Sequence, residues 1–198
     1  MSVSVALNHR TTYSYDRLIN LAPHVVRLRP APHSRTPIKS YSLRIEPEEH
    51  FLNWQQDAYA NWSARLVFPK PTRRFSVTVD LVADMVAINP FDFFVEESAE
   101  QVPFAYSAAQ RKDLLPYLRR PSRGQAFRDF AAAAPVQTGP TNDWLVALNG
   151  YVADQIDYTI RLEPGVQSPS VTIQKALGSC RDSAWLMVAL LREFGYAA

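Results

Sequence analysis

The stretch from Gly178 to Gly195, GSCRDSAWLMVALLREFG, dominates the interpretation of this sequence. Apolar residues recur at helical spacing after a polar start, and Gly195 is a typical residue just past a helix C-terminus. The pattern predicts a helix whose first turn carries Cys180, the single cysteine of the chain. Backbone N–H groups and the helix dipole stabilise negative charge at that end, which favours the nucleophilic thiolate form of a cysteine. Cys180 is therefore a candidate nucleophile, and the alternative is an inert cysteine in the core.

Helical patterns also fill the region upstream of this stretch. The clearest runs from Thr141 to Ile156, and either Thr141 or Asn142 is expected to cap its start. Shorter helices are predicted at 110–118, at 125–134 and from Ser168 to near Leu177, with an extended segment at 158–162.

The first 95 residues alternate apolar and polar side chains, which is typical of strands. The alternating runs are 3–15, 26–29, 41–45, 62–68 and 75–81. Several short strands at this spacing favour an antiparallel sandwich. We therefore predict an α+β chain, with an antiparallel β-sandwich over residues 1–103 and a helical part over residues 104–198.

The composition is that of an ordinary globular protein and argues against several classes of function. Apolar residues make up 47% of the chain, charged residues 20%, and the net charge is +2. The densest basic group, Arg119, Arg120 and Arg123 around Pro121, is interpreted as a solvated linker, so no nucleic-acid partner is expected. No stretch reaches the ~20 apolar residues of a membrane helix. A lone cysteine without an export signal favours a cytoplasmic protein.

The residues around Cys180 closely resemble a known family motif. GSCRDSAWL at 178–186 is similar to the nucleophile motif of the transglutaminase-like superfamily, roughly Gly-x-Cys-Arg-Asp-x-Ala before a long apolar helix. The front of the chain resembles the N-terminal domain that precedes this core in bacterial members. The residues that carry this second resemblance are NHRTTYSY at 8–15, VRLRP at 26–30 and NPFDF at 89–93. Just before the cysteine motif, QSP at 167–169 also resembles the bacterial members.

The resemblance implies a fold, a reaction and a set of roles. Residues 104–198 would form the helical first half of a papain-like core, and no cofactor or metal would be needed. Cys180 would attack an amide carbonyl of a protein or peptide and form an acyl thioester. Gln167 is a candidate second oxyanion donor beside the Cys180 N–H, the alternative being a surface glutamine at a turn. Gly178, Arg181 and Asp182 would be structural, with Asp182 accepting first-turn N–H bonds or pairing with a basic group.

In the family, the catalytic His and Asp follow the cysteine, whereas the four histidines of this sequence all precede Cys180. His9 is expected in the core, and His24, His33 and His50 are expected to be solvated near turns. We therefore expect an N-terminal fragment of a thiol peptidase, amidase or acyltransferase that is inactive or nearly so. Its apolar face in 141–195 would be left uncovered and would favour a homo-oligomer. The alternative is a non-catalytic sandwich that serves interaction or regulation, with a vestigial thiol motif.

Overall fold

The computed structural model describes residues 3–87, 89, 93–120 and 124–198, which divide into two compact units. The units cover 1–92 and 93–198, so they part before the boundary predicted after residue 103. The reason is local packing, because Val102 lies in the hydrophobic core of the second unit. Most of the 89–93 motif, and Pro121 and Arg123 of the predicted linker, lie outside the described residues.

Strands make up the first unit and helices dominate the second, so the α+β prediction is confirmed. Two three-stranded antiparallel sheets form the first unit, in the orders β1-β6-β3 and β2-β5-β4. One core draws on both sheets, through Ile45, Phe75 and Val77 from the first and Leu66 from the second. The strands are β1 (Val3–Ile19), β2 (His24–Val26), β3 (Ile38–Glu46), β4 (Phe51–Gln56), β5 (Trp62–Val67) and β6 (Thr72–Met85).

The expectation that His9 is a core residue is wrong. His9 is exposed, and its Nε2 lies 3.0 Å from the Thr11 hydroxyl. Alternation correctly indicated a strand, but β1 is 17 residues long and the first unit's core takes in Tyr15 and Ile19 near its end. Val5 and Leu7, on the same side of the strand as His9, are exposed as well.

The remaining histidines differ from one another in burial. His33 is exposed, as expected, whereas His24 and His50 are half-buried, so the expectation of solvation is wrong for these two. The ring of His24 lies 4.8 Å from the ring of Phe75, and His50 Nδ1 lies 2.8 Å from the carbonyl oxygen of Pro47. Residues beside a turn can therefore still lie against an aromatic core.

The second unit packs its helices around one apolar core, to which Phe127, Trp144, Leu148, Leu186 and Leu190 contribute. None of the described helices is long and apolar enough to span a membrane. The helices are α1 (Ala108–Asp113), α2 (Leu115–Leu118), α3 (Gln125–Ala132), α4 (Thr141–Gln155), α5 (Pro169–Lys175) and α6 (Cys180–Glu193), with a short 3₁₀ turn at Glu97–Ala99 and the parallel strands β7 (Asp157–Tyr158) and β8 (Leu177–Gly178).

The helix ends show which local signals were interpreted correctly. The helix predicted to open at Ser168 is present as α5, and Ser168 caps it by accepting a hydrogen bond from the Val171 N–H. Thr141 does not cap α4, because Pro140 occupies the cap position and the Thr141 hydroxyl donates to the carbonyl of Ala99 instead. Gly195 has a φ of +93°, the left-handed conformation that suits a glycine at a helix end.

Candidate functional site

Cys180 is the first residue of α6 and is exposed, as a nucleophile must be. The alternative of a cysteine in the core is therefore excluded. β8 leads directly into α6 and pairs with β7, so the backbone on either side of Cys180 is regular. Beside the cysteine lies an open cavity of about 680 Å³, here called the thiol groove, lined by Asn149, Val152, Ala153, Ile156, Asp157, Tyr158, Cys180, Ser183, Ala184 and Met187.

Gly178 has a packing reason for being glycine. A Cβ built there would lie 3.1 Å from the Cβ of Asp182 and 3.2 Å from Cγ2 of Thr172, closer than side-chain carbons normally approach. The residue pairs with Tyr158 across β7 and β8, and its carbonyl accepts a hydrogen bond from the Thr159 N–H at 2.9 Å. Gly178 thus lets α5, α6 and the two short strands meet just before the cysteine.

Asp182 is fully buried in the first turn of α6, two residues after Cys180, and its carboxylate organises the start of the helix. Its Oδ2 accepts from the backbone N–H of Ser179 at 2.9 Å and from the Ser179 hydroxyl at 2.7 Å. The predicted first-turn N–H contact is therefore present. The hydrogen bond from Arg161, reinforced by donors from Gln167 and Ser179, holds the pKa of Asp182 far below its usual range. Asp182 is a permanent carboxylate, and an acceptor rather than a general acid.

Arg161 is the cationic partner of Asp182 and was not identified from the sequence. Its Nε donates to Asp182 Oδ2 at 2.9 Å and one Nη donates to Oδ1 at 3.2 Å, a two-pronged ion pair. The hydrogen bond to Asp182 raises the pKa of Arg161 in turn. Arg161 lies 21 residues before Asp182, at a distance for which no local pattern exists. The available signal was chemical, since an acid predicted at the start of a buried helix needs a cation.

Arg181 holds the loop at 161–165 through hydrogen bonds to its backbone. Its guanidinium donates to the backbone carbonyls of Arg161 at 3.2 Å and Glu163 at 2.6 Å, while its own side chain remains exposed. A second contact from Arg161 to the Gly165 carbonyl, at 2.9 Å, adds to the restraint. The two arginines thus tie residues 161–165 to the start of α6.

Gln167 is also bound to Asp182 in this structure. Its backbone N–H donates to Asp182 Oδ1 at 2.8 Å, and its Nε2 donates to Asp182 Oδ2 at 3.2 Å and to the Leu177 carbonyl at 3.3 Å. Its Oε1 is buried without a partner among the residues that the structure describes. The oxyanion role stays a prediction, and it would require the amide to leave these partners.

The site therefore consists of an exposed thiol held by a buried polar network. Asp182 accepts hydrogen bonds from Arg161, Gln167 and Ser179, all of which precede it in the chain. The bond between Ser179 and Asp182 therefore restrains the backbone on both sides of Cys180. The thiol groove lies beside this exposed thiol, so Cys180 stays a candidate nucleophile with room for a substrate next to it. Residues 93–198 contain no histidine, so the second unit has no imidazole base of its own.

Comparisons with known proteins agree with the motif. Residues 5–84 match the family described as the bacterial transglutaminase-like N-terminal region, and residues 130–198 match the transglutaminase-like superfamily. A search of curated proteins found no match.

One similar solved structure is that of a "putative cysteine protease" from Cytophaga hutchinsonii. The TM-score is 0.69 at 18% sequence identity, over 98% of this chain and 64% of that one. The likeness shows a shared fold, and this chain spans less than two thirds of that protein's length. On the two family matches, residues 130–198 belong to the transglutaminase-like superfamily and residues 5–84 to the bacterial transglutaminase-like N-terminal region that lies ahead of them.

Proposed function

We propose that this chain is the nucleophile-bearing part of a thiol enzyme that acts on amide bonds of proteins or peptides, as a peptidase, amidase or acyltransferase with a papain-like core. The observation that carries the proposal is the exposed Cys180 at the start of α6, beside the thiol groove. Family membership supports the general class, and the similarity to a protein described as a cysteine protease supports peptidase chemistry.

The proposed reaction begins with attack of Cys180 Sγ on an amide carbonyl. The S–C bond forms first, and the carbonyl oxygen takes the negative charge. The C–N bond then breaks to give the thioester, and the amine leaves with the proton that the thiol has lost. The Cys180 backbone N–H is the first donor for the developing oxyanion, since the first-turn N–H groups of a helix have no intrahelical partner. Water then gives hydrolysis, or a second amine gives transfer, and either restores the thiol.

An activated ester tests the first half of this reaction, because its leaving group needs no proton. We expect p-nitrophenyl acetate to release one equivalent of nitrophenol in a burst and to leave one acetyl group on Cys180, detectable by mass spectrometry. Cys180→Ala should abolish the burst. Ser183→Ala, a change in the same groove, is the matched control and should retain it. Acetylation of Cys180 no faster than that of N-acetylcysteine would contradict the proposal.

Turnover of amides needs a base as well as a nucleophile. Because residues 93–198 contain no histidine, we propose that residues 1–198 form the acyl thioester but turn over a peptide amide slowly or not at all. Steady release of amine at a rate typical of thiol peptidases would refute this part without affecting the acetylation result.

Self-association and a cytoplasmic location complete the proposal. The end of β7 and the segment after it expose three large apolar side chains, with Tyr158 at 69%, Ile160 at 77% and Leu162 at 91% of their full exposure. Exposed apolar groups close together in the chain favour contact with another copy. The single cysteine supports a reducing compartment.

A further inference from the structure

The VRLRP motif at 26–30 has no part in the proposed thiol chemistry, yet it places the exposed Arg29 against three aromatic rings, here called the cage. The guanidinium carbon of Arg29 lies 4.4 Å from the ring centre of Trp62, 5.0 Å from that of Trp54 and 5.7 Å from that of Tyr41. The rings meet edge to face, with Trp54 at 86° to Trp62 and at 67° to Tyr41. Tyr41 lies on β3, and the tryptophans lie on β4 and β5 of the other sheet.

The polar edge of this guanidinium is not used within the described part of the chain. Arg29 makes neither a hydrogen bond nor an ion pair with any residue that the structure describes, although a guanidinium carries five N–H donors. Cation–π contacts fix the guanidinium and leave its N–H groups available. The Tyr41 hydroxyl is likewise buried without a described partner. Burial raises the pKa of Tyr41, which keeps this hydroxyl a neutral donor near pH 7.

An open cavity of about 670 Å³ adjoins the cage. Arg29, Tyr41 and Trp62 form part of its lining, together with the Pro-rich loop 30–37 and Lys39. The lining includes two cations and no acidic residue. Lys39 is already paired with Asp84 at 2.8 Å, so Arg29 is the cation in the lining whose charge is not balanced by a described acid. The volume falls in the range of small-ligand sites, about 300–1,000 Å³.

We propose that this cavity binds a carboxylate-bearing ligand, such as an acidic side chain of a peptide, through the N–H groups of Arg29 and the hydroxyl of Tyr41. A carboxylate matches the fork of a fixed guanidinium with two parallel hydrogen bonds. The aromatic faces would pack against the carbon chain that bears the acid. The cage does not depend on the thiol site, so this inference goes beyond the proposed enzyme function.

The competing explanation is that Arg29 only clamps the two sheets together. Isothermal titration calorimetry of the full chain with blocked triglutamate distinguishes a ligand-binding site from a purely structural role of Arg29. Blocked triglutamine and inorganic phosphate are the comparison probes. We expect triglutamate to bind, and triglutamine to bind at least about tenfold more weakly because its amides carry no charge. Phosphate should also bind at least about tenfold more weakly, because it has no carbon chain to pack against the aromatic faces. Absence of triglutamate binding at millimolar concentration would overturn the proposal. Equal binding of triglutamine or of phosphate would overturn the carboxylate assignment.

Variants then test the named donors. Arg29→Lys keeps a cation against the rings but loses the planar fork, so triglutamate binding should weaken about tenfold or more. Tyr41→Phe keeps the ring and removes the hydroxyl, and it should weaken binding by a smaller factor. Arg27→Lys, in the same motif but outside the cavity lining, is the matched control and should leave binding unchanged. Undiminished binding by a correctly folded Arg29→Lys protein, judged by its unfolding midpoint, would show that Arg29 is a clamp.

Discussion

Replacing Asp182 with asparagine removes a charge and an acceptor from the most densely bonded point of the second unit. The carboxylate accepts from Arg161 and Gln167 on Oδ1, and from Arg161, Gln167 and Ser179 on Oδ2. An asparagine has one acceptor oxygen, and its NH2 group cannot accept. Whichever way the amide is turned, at least two donors that bonded the replaced oxygen lose their acceptor.

The size of the stability loss in Asp182→Asn follows from the burial of the Asp182 carboxylate. Asp182 is fully buried, so a donor left facing it has no water to replace the lost acceptor. Each unsatisfied buried donor costs about 1–3 kcal/mol. Removing one partner of a buried ion pair costs about 3–5 kcal/mol. We expect the lower end, about 3 kcal/mol, because 16% of the Arg161 side chain remains exposed to water.

The loss of stability can be measured by urea unfolding with helical circular dichroism as the signal, because the described helices all lie in the second unit. With a slope of about 2 kcal/mol per molar urea, the midpoint should fall by about 1–2 M. Asp154→Asn is the matched control, because Asp154 is exposed in α4 of the same unit, and surface changes usually stay within about 0.5 kcal/mol. An Asp182→Asn midpoint within experimental error of the wild type would refute the reasoning.

Three further predictions concern the same unit. The depressed pKa of Asp182 gives stability that is complete above its unfolded value, 3.8, and is lost as pH falls below it, so the stability gap between wild type and Asp182→Asn should narrow below about pH 4. A gap that widens in acid would contradict this sign. Gly178→Ala should cost about 1–3 kcal/mol by overpacking, measured by the same unfolding assay, whereas Gly150→Ala, where a Cβ meets open space, should not destabilise. Leu162→Arg should shift the chain toward monomer in sedimentation experiments, and wild-type protein that is monomeric at all concentrations would refute self-association.

Local patterns predicted much of the fold because they depend on neighbours in sequence. Alternation at 75–81 correctly indicated β6, and apolar spacing after Cys180 correctly indicated α6. β4 was missed because FLNWQQ begins with two apolar residues and ends with two polar ones, so the alternation is broken at both ends. His9 was misplaced because parity shows which side of a strand a residue occupies, but not whether another element covers that side.

The residues of the candidate site also divide into those that local sequence could predict and those that it could not. Cys180 could be found from its motif and its place at a helix start, both of which are properties of consecutive residues. Arg161 could not, because its pairing with Asp182 depends on the path of the chain through β7 and the following loop. The role of Gln167 at Asp182 escaped for the same reason.

By itself, the sequence determined the family resemblance, the order of strands before helices and the placement of Cys180 at the start of α6. Hydrogen bonding within a helix and alternation along a strand act over a few residues, so these features are encoded locally. Only the tertiary structure decided that Asp182 is a buried, fully bonded carboxylate and that Arg29 lies among rings from both sheets. Ion pairs, aromatic cages and burial join residues far apart in the chain, and they exist only once the fold has brought those residues together.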